Sequence, residues 1–198
     1  THSSGKYARI VLLLLGAMLG GTSSWGQVDV THQSGQFYVE PGTEVHIQGS
    51  LISLSGNADP ISNLGKMYIS DSVTCYGDNR IYGATPDTTT AEVILNGDAL
   101  QQFTGTENMR FGKLTVRNAY DSLRLFNRVE VYSRLQIDTG NIDVNADTLD
   151  LLQTGYLVGE NSQDRIFSGA YGRIKLNRPL VLGNTYPNIA GVGLGLQI

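Results

Sequence analysis

Four aspartates, Asp138, Asp143, Asp147 and Asp150, fall within a short stretch, and paired carboxyls are what hydrolysis of a glycosidic bond requires. That chemistry needs two carboxyl groups about 5 to 9.5 Å apart, one with a raised pKa so that it can donate a proton. Each of the four stands in a turn or in the polar half of an alternating pattern, so they read as outward-facing turn acids. A lyase would add a Lys or Arg base and a calcium site, and no Asp-rich loop of fixed spacing is present. The histidines are His2, His32 and His46, without the His-x-x-x-His spacing that places two ligands on one face. His32 and His46 therefore read as surface or cap residues. There is no Gly-x-Ser-x-Gly elbow and no Ser/His/Asp set in turn context. Cys75 is the one cysteine, with Tyr76, Asp78 and Arg80 nearby rather than a histidine, and it reads as a small apolar core residue. No catalytic, metal-binding or cofactor-binding residues are assigned, and the chain is expected not to be an enzyme.

The elements that would position these side chains are short. Runs of alternating apolar and polar residues recur from Leu114-Thr115-Val116 through Leu123-Arg124-Leu125, Val129-Glu130-Val131, Leu135-Gln136-Ile137 and Ile142-Asp143-Val144 to Leu149-Asp150-Leu151. Period-2 alternation is the signature of a strand with one buried face. From Leu123 onward the runs begin six, six, seven and seven residues apart, with Asn-Arg, Tyr-Ser, Thr-Gly-Asn and Asn-Ala-Asp between them as turn chemistry. So short a repeat leaves no room for a crossover helix. Strands this close form hairpins or wind into a coil whose turns stack in parallel, and the coil is the expected fold: an all-β, parallel β-solenoid. Leu114, Val116, Leu125, Val131, Leu135, Ile137, Ile142, Leu149 and Leu151 are expected to point into one core as stacked rows.

The N-terminus reads as a cleavable signal peptide over residues 1–26. Lys6 and Arg9 give a positive start, Ile10 to Leu19 is apolar, and Ser24 and Gly26 put small residues before a cut at Gln27. An apolar run of ten residues is short of the roughly twenty that span a bilayer. The chain is thus expected to be secreted or displayed on the outer cell surface. Without Lys6 and Arg9, 14 − 2 = 12 basic residues face 18 acidic ones, a balance of 12 − 18 = −6. A mildly acidic surface with no basic run argues against a nucleic-acid partner and against an anionic membrane face. With a single cysteine, stability must come from burial and the strand ladder.

The mature solenoid is expected over 27–179. Its first coil includes Phe37-Tyr38-Val39, a Pro41-Gly42 turn and Val45-His46-Ile47, and reads as a cap for the stack. Gly77 to Thr90 is the expected projecting loop, and loops of this kind are where binding usually sits. Tyr76 and Tyr82 are the candidate glycan contacts there, by stacking on sugar rings. Asp164 to Phe167 and Tyr171 to Leu176 read as two further strands. Residues 180–198, ending in alternating Gly and apolar residues, read as the truncated start of a following β module.

The order Asn96-Gly97, Gln101-Gln102-Phe103-Thr104-Gly105, Phe111-Gly112-Lys113-Leu114-Thr115-Val116-Arg117-Asn118, Gly140-Asn141-Ile142 and Leu149-Asp150-Leu151, closing on Asn188-Ile189-Ala190-Gly191-Val192-Gly193-Leu194, resembles the repetitive β-solenoid region of large secreted and cell-surface proteins of Bacteroidota that carry a type IX secretion sorting domain. The C-terminal sorting domain itself is not in this sequence. The resemblance implies a passenger that serves adhesion or scaffolding, that meets the secretion machinery during export, and that has surface glycans or other cell-surface proteins as partners. It also implies O-glycosylation at Asp-Ser/Thr-apolar triplets, which Asp71-Ser72-Val73, Asp121-Ser122-Leu123 and Asp147-Thr148-Leu149 resemble, making Ser72, Ser122 and Thr148 the candidate sites. A carbohydrate-active or carbohydrate-binding β-helix is the alternative reading.

Overall fold

The computed structural model describes residues 27–33, 35, 37–54, 61–76, 79–80, 91–168, 171–178, 185–186 and 196–197. The expected signal segment lies outside them, as does most of the expected C-terminal module. The described chain is all β, with no helix. It winds as a three-sided coil: β1 (Val30–His32), β2 (Phe37–Val39) and β3 (Glu44–Ile47) make the first turn. The second is β4 (Leu51–Ser53), β5 (Ile61–Asn63) and β6 (Lys66–Ile69). The third is β7 (Val73–Cys75), β8 (Asn79–Arg80) and β9 (Glu92–Leu95). After β10 (Gln101–Gly105), the long strands β11 (Met109–Leu125) and β12 (Val129–Asp143) each bend around corners to serve three sides in turn. β13 (Thr148–Asp150), β14 (Tyr156–Val158), β15 (Ile166–Phe167) and β16 (Arg173–Lys175) complete the stack.

Every pairing in the stack is parallel. On the first side, face A, Val30 pairs with Leu51, Leu51 with Val73, Val73 with Phe103 and Phe103 with Leu125. Leu123 then pairs with Ile142 and Ile142 with Ile166. By difference of residue numbers these steps are 21, 22, 30, 22, 19 and 24, giving about six turns. The six-to-seven-residue recurrence in the sequence is one side of this triangle, and three sides plus corners make a turn. Face B carries β2 on β5, then β8, Met109–Phe111, Val129–Val131, β13 and β16. Face C carries β3, β6, β9, the middles of β11 and β12, and β14.

All nine residues expected in the core are buried, none more than 2% exposed. Phe103 and Phe111 stack within it, with ring centroids 5.2 Å apart. At roughly 0.8 kcal/mol per buried methylene, these rows are what holds a chain with no disulfide among its described residues. Cys75 is among them. It is fully buried, and burial pushes its thiol up to about 12, so it behaves as the small apolar residue the sequence suggested.

Two expectations need correction. Tyr132-Ser133 and Thr139-Gly140-Asn141 do not end strands, because β12 passes through both. Shifts in register at these corners let the ladder bend without breaking. Nor is Gly77 to Thr90 a single loop: Asn79 and Arg80 rejoin the ladder against Met109 and Arg110. Near the C-terminus, Thr185–Tyr186 and Leu196–Gln197 pair antiparallel to each other, in a sheet separate from the stack.

Corners explain the glycines that matter. Pro41-Gly42 is a tight turn closed by the Thr43 N–H donating to the Glu40 carbonyl at 3.1 Å, with Gly42 at φ +77°. Gly105, at φ +125°, lies so close to the Cys75 carbonyl that a Cβ there would collide with it.

Candidate functional site

A solenoid places outward residues of successive turns in rows, about 4.8 Å apart, and here two of those rows are charged. On face B, Arg110, Glu130, Asp150 and Lys175 occupy one register. Arg110 Nε donates to Glu130 at 3.0 Å, Arg128 reaches both Glu130 at 3.2 Å and Asp150 at 2.5 Å, and Lys175 lies 3.2 Å from Asp150. On face C the row is Glu44, Lys66, Glu92, Lys113 and Arg134. Lys66 meets Glu44 at 3.4 Å, and Glu92 accepts from Arg134 at 3.1 Å and from the Thr115 hydroxyl at 2.5 Å. Opposite charges therefore meet across coils in both rows, with Arg128 bridging the neighbouring acids Glu130 and Asp150.

The four aspartates separate into different settings. Asp143 and Asp150 point outward as expected but are buried, at 4% and 0% exposure, so they are not the solvent-facing turn acids the sequence suggested. They sit beneath basic side chains that cover them. Asp143 accepts from Arg124 at 2.9 Å and from the Asn145 N–H at 2.8 Å, and Asp150 also accepts from the Leu152 N–H at 2.9 Å. Asp138 is half-buried. Burial pushes its pKa up, but hydrogen bonds from Arg117 and Gln136 and the charges of Arg117 and Arg134 outweigh that and hold it below the usual carboxylate range. Asp147 stays at the surface side of a corner, accepting from the Thr148 N–H at 3.0 Å. Among the described residues no three His, Cys, Asp or Glu side chains gather as a metal site.

The two histidines among the described residues, His32 and His46, both lie in the first coil. His32 is buried with Nε2 2.7 Å from the Gly35 carbonyl, so the surface reading fails for it while the cap reading fits. His46 is exposed and stacks on Tyr68 of the next coil, centroids 4.3 Å apart and planes 1° from parallel. Beside this stack, along the corner from face B to face C, runs a shallow groove of about 370 Å³ between Gly42, Gly65, Glu44, Lys66, Glu92 and Lys113.

Of the candidate glycan contacts, Tyr76 is 55% exposed at the end of β7, its N–H donating to the Ser53 carbonyl at 3.0 Å; Tyr82 lies outside the described residues. The three Asp-Ser/Thr-apolar triplets share one geometry. Each aspartate turns back to accept the next residue's N–H, at 2.8 Å for Ser72, 2.8 Å for Ser122 and 3.0 Å for Thr148. The third residue, Val73, Leu123 or Leu149, then enters the core. The triplet is therefore a corner-to-strand device. All three hydroxyl-bearing residues are half-buried, and the Ser72 hydroxyl is already engaged, donating to Asp71 at 3.2 Å and accepting from the Gln102 N–H at 3.0 Å.

The charged rows were missed by local pattern reading, although a signal existed: Arg110, Glu130 and Asp150 are spaced by 20 and 20 residues, close to one coil. Another prominent residue, Tyr120, stands 81% exposed on the corner from face C to face A. Below it Asn118, fully buried, accepts from the Tyr120 and Asp121 N–H groups at 3.2 and 3.1 Å and donates to the Ala99 carbonyl at 2.5 Å. No helix among the described residues is long and apolar enough to cross a membrane. The chain matches no family model, no curated protein and no solved structure.

Proposed function

We propose that this chain is a non-enzymatic structural segment of a larger exported protein, a stalk or scaffold whose outer faces adhere to surface glycans or to other cell-surface proteins. The observation that carries the reading is the way charge is used. Along faces B and C, acids and bases neutralise one another from coil to coil, which ties successive turns together in the same direction as the strand ladder. A rod stiffened along its axis suits a spacer. The N-terminal signal is read from residues 1–26, and export by secretion machinery of the type IX class from the sequence resemblance. It is tested by N-terminal sequencing of mature protein from the native host, expected to begin at Gln27.

The adhesive part is tested by immobilising the chain and measuring glycan and cell-surface binding alongside release of sugar from the same polysaccharides. Binding without release is expected. Release that disappears in Asp143→Asn or Asp147→Asn would instead establish a carbohydrate-active enzyme. A carbohydrate-binding reading is favoured by one observation, the groove edged by the charged side chains Glu44, Lys66, Glu92 and Lys113 beside the stacked His46 and Tyr68, which offers hydrogen-bonding groups next to an aromatic surface.

A further inference from the structure

Face B carries two outward rows side by side over its later coils. Arg110, Glu130, Asp150 and Lys175 share one register. Two places earlier in the strands, Arg128, Thr148 and Arg173 make the second, since Thr148 pairs with Arg173 and Arg128 stands before Val129 as Thr148 stands before its partner Leu149. Rows of this kind repeat along the axis at one strand spacing, about 4.8 Å.

Depth sorts the signs. Glu130 and Asp150 are buried, whereas the cations that lie over them reach solvent: the Lys175 side chain is 54% exposed, that of Arg128 35%, and Arg173 is exposed as well. The two acids do not balance Arg110, Arg128, Arg173 and Lys175, and the rows carry 4 − 2 = +2 in a chain whose net charge is −4. The flanking corners leave that excess in place, because Glu107 and Asp147 come before these strands and Lys113 and Arg178 after them. A guanidinium has five donors, so Arg128 holds both buried acids and has donors left over.

We propose that face B between β11 and β16 is a binding surface for an acidic polysaccharide, whose anionic groups lie along the axis over Arg128, Arg173 and Lys175. It rests on the adhesion to glycans proposed above and names the kind of glycan. The cations are set out in rows on a sheet face rather than gathered in a pocket, which suits an extended polymer with repeated charges better than a single small anion. The two rows contain no aromatic side chain on which a base could stack, and stacking is a main source of affinity for single-stranded nucleic acid. A polysaccharide needs none: charge-assisted hydrogen bonds from arginine and lysine to its acidic groups supply the contact.

Binding of the full chain to immobilised alginate, a polyuronate, and to dextran, a neutral polysaccharide, tests this over a salt series. Tighter binding to alginate is expected, falling about tenfold between roughly 50 and 200 mM salt as ions screen the contact. Arg173→Gln and Lys175→Gln are each expected to weaken alginate binding about two- to fivefold, and the two together more, with urea unfolding to verify that the variants stay folded. Arg165→Gln removes a cation that stands before the face A strand β15 instead, and is expected to bind as the parent does. The proposal fails if alginate is held no better than dextran, if Arg165→Gln weakens binding as much as Arg173→Gln, or if single-stranded DNA competes as well as free alginate. Binding to dextran alone would overturn it while leaving adhesion to glycans standing, and binding to neither would remove both.

Discussion

The carboxylate of Asp150, shut away from solvent, is held 2.5 Å from the guanidinium of Arg128. A buried carboxylate with no partner would be costly, and breaking such a pair from one side typically costs about 3–5 kcal/mol. Lys175 remains at 3.2 Å as a second partner, so Arg128→Ala is expected to cost somewhat less, about 2–3 kcal/mol. Lys175→Ala should cost less again, because that side chain is 54% exposed. Urea denaturation of both variants, closed into a double-mutant cycle with Asp150→Asn, measures the coupling directly.

Leu135 is fully buried between Leu114 and Leu157 in the inward row of face C. Leu135→Ala is expected to destabilise by about 2–5 kcal/mol, read as a lower denaturation midpoint with an unchanged slope.

Gly105→Ala should cost more than an ordinary surface change. Positive φ and the close Cys75 carbonyl act together there, and strain at such a position is on the order of 1–3 kcal/mol. Equilibrium unfolding decides it: a variant as stable as the parent would show that the corner relaxes freely.

Asp138 gives a pH dependence whose sign follows from its depressed pKa. A carboxyl held below its usual value of 3.8 contributes stability that is present above that value and is lost as the pH falls through the lower folded value. Asp138→Asn should therefore flatten the acid limb of the stability curve while leaving the neutral region less affected. An acid limb identical to the parent's would count against the Arg117 pairing as its cause.

If the triplets are glycosylated in the native host, mass spectrometry of tryptic peptides should find sugar on Ser122 and Thr148 ahead of Ser72. The Ser72 hydroxyl is already committed to Asp71 and Gln102, whereas for the other two only the backbone N–H is tied to the aspartate. Modification at Ser72 alone would reverse that ranking.

How much of this was readable in the chain depends on the range of the interaction. Leu149-Asp150-Leu151 announces a strand locally, because alternation is a property of neighbouring residues, and its two leucines are indeed buried. The same triplet misleads about Asp150. Alternation assigns it to water, but its environment is made by Arg128 and Lys175, residues 22 and 25 positions away in sequence that only the winding brings close. The continuity of β12 through Tyr132-Ser133 was hidden for a related reason: a corner and a chain reversal use the same residue types, and only pairing with β11 distinguishes them. Of the site candidates, Tyr76 was legible as an exposed aromatic beside a corner. The charged rows of faces B and C were legible only at the period of a whole coil.

That period makes length along the axis a counted quantity. The step from Val73 to Phe103 takes 30 residues and the step from Phe103 to Leu125 takes 22, yet each advances the stack by one strand spacing, about 4.8 Å. Extra residues within a turn thus add nothing to reach. Only a complete turn lengthens the rod, and it does so with its own share of core and ladder attached. A chain built this way can be lengthened or shortened in whole turns with its cross-section unaltered, while its corners vary independently of its length.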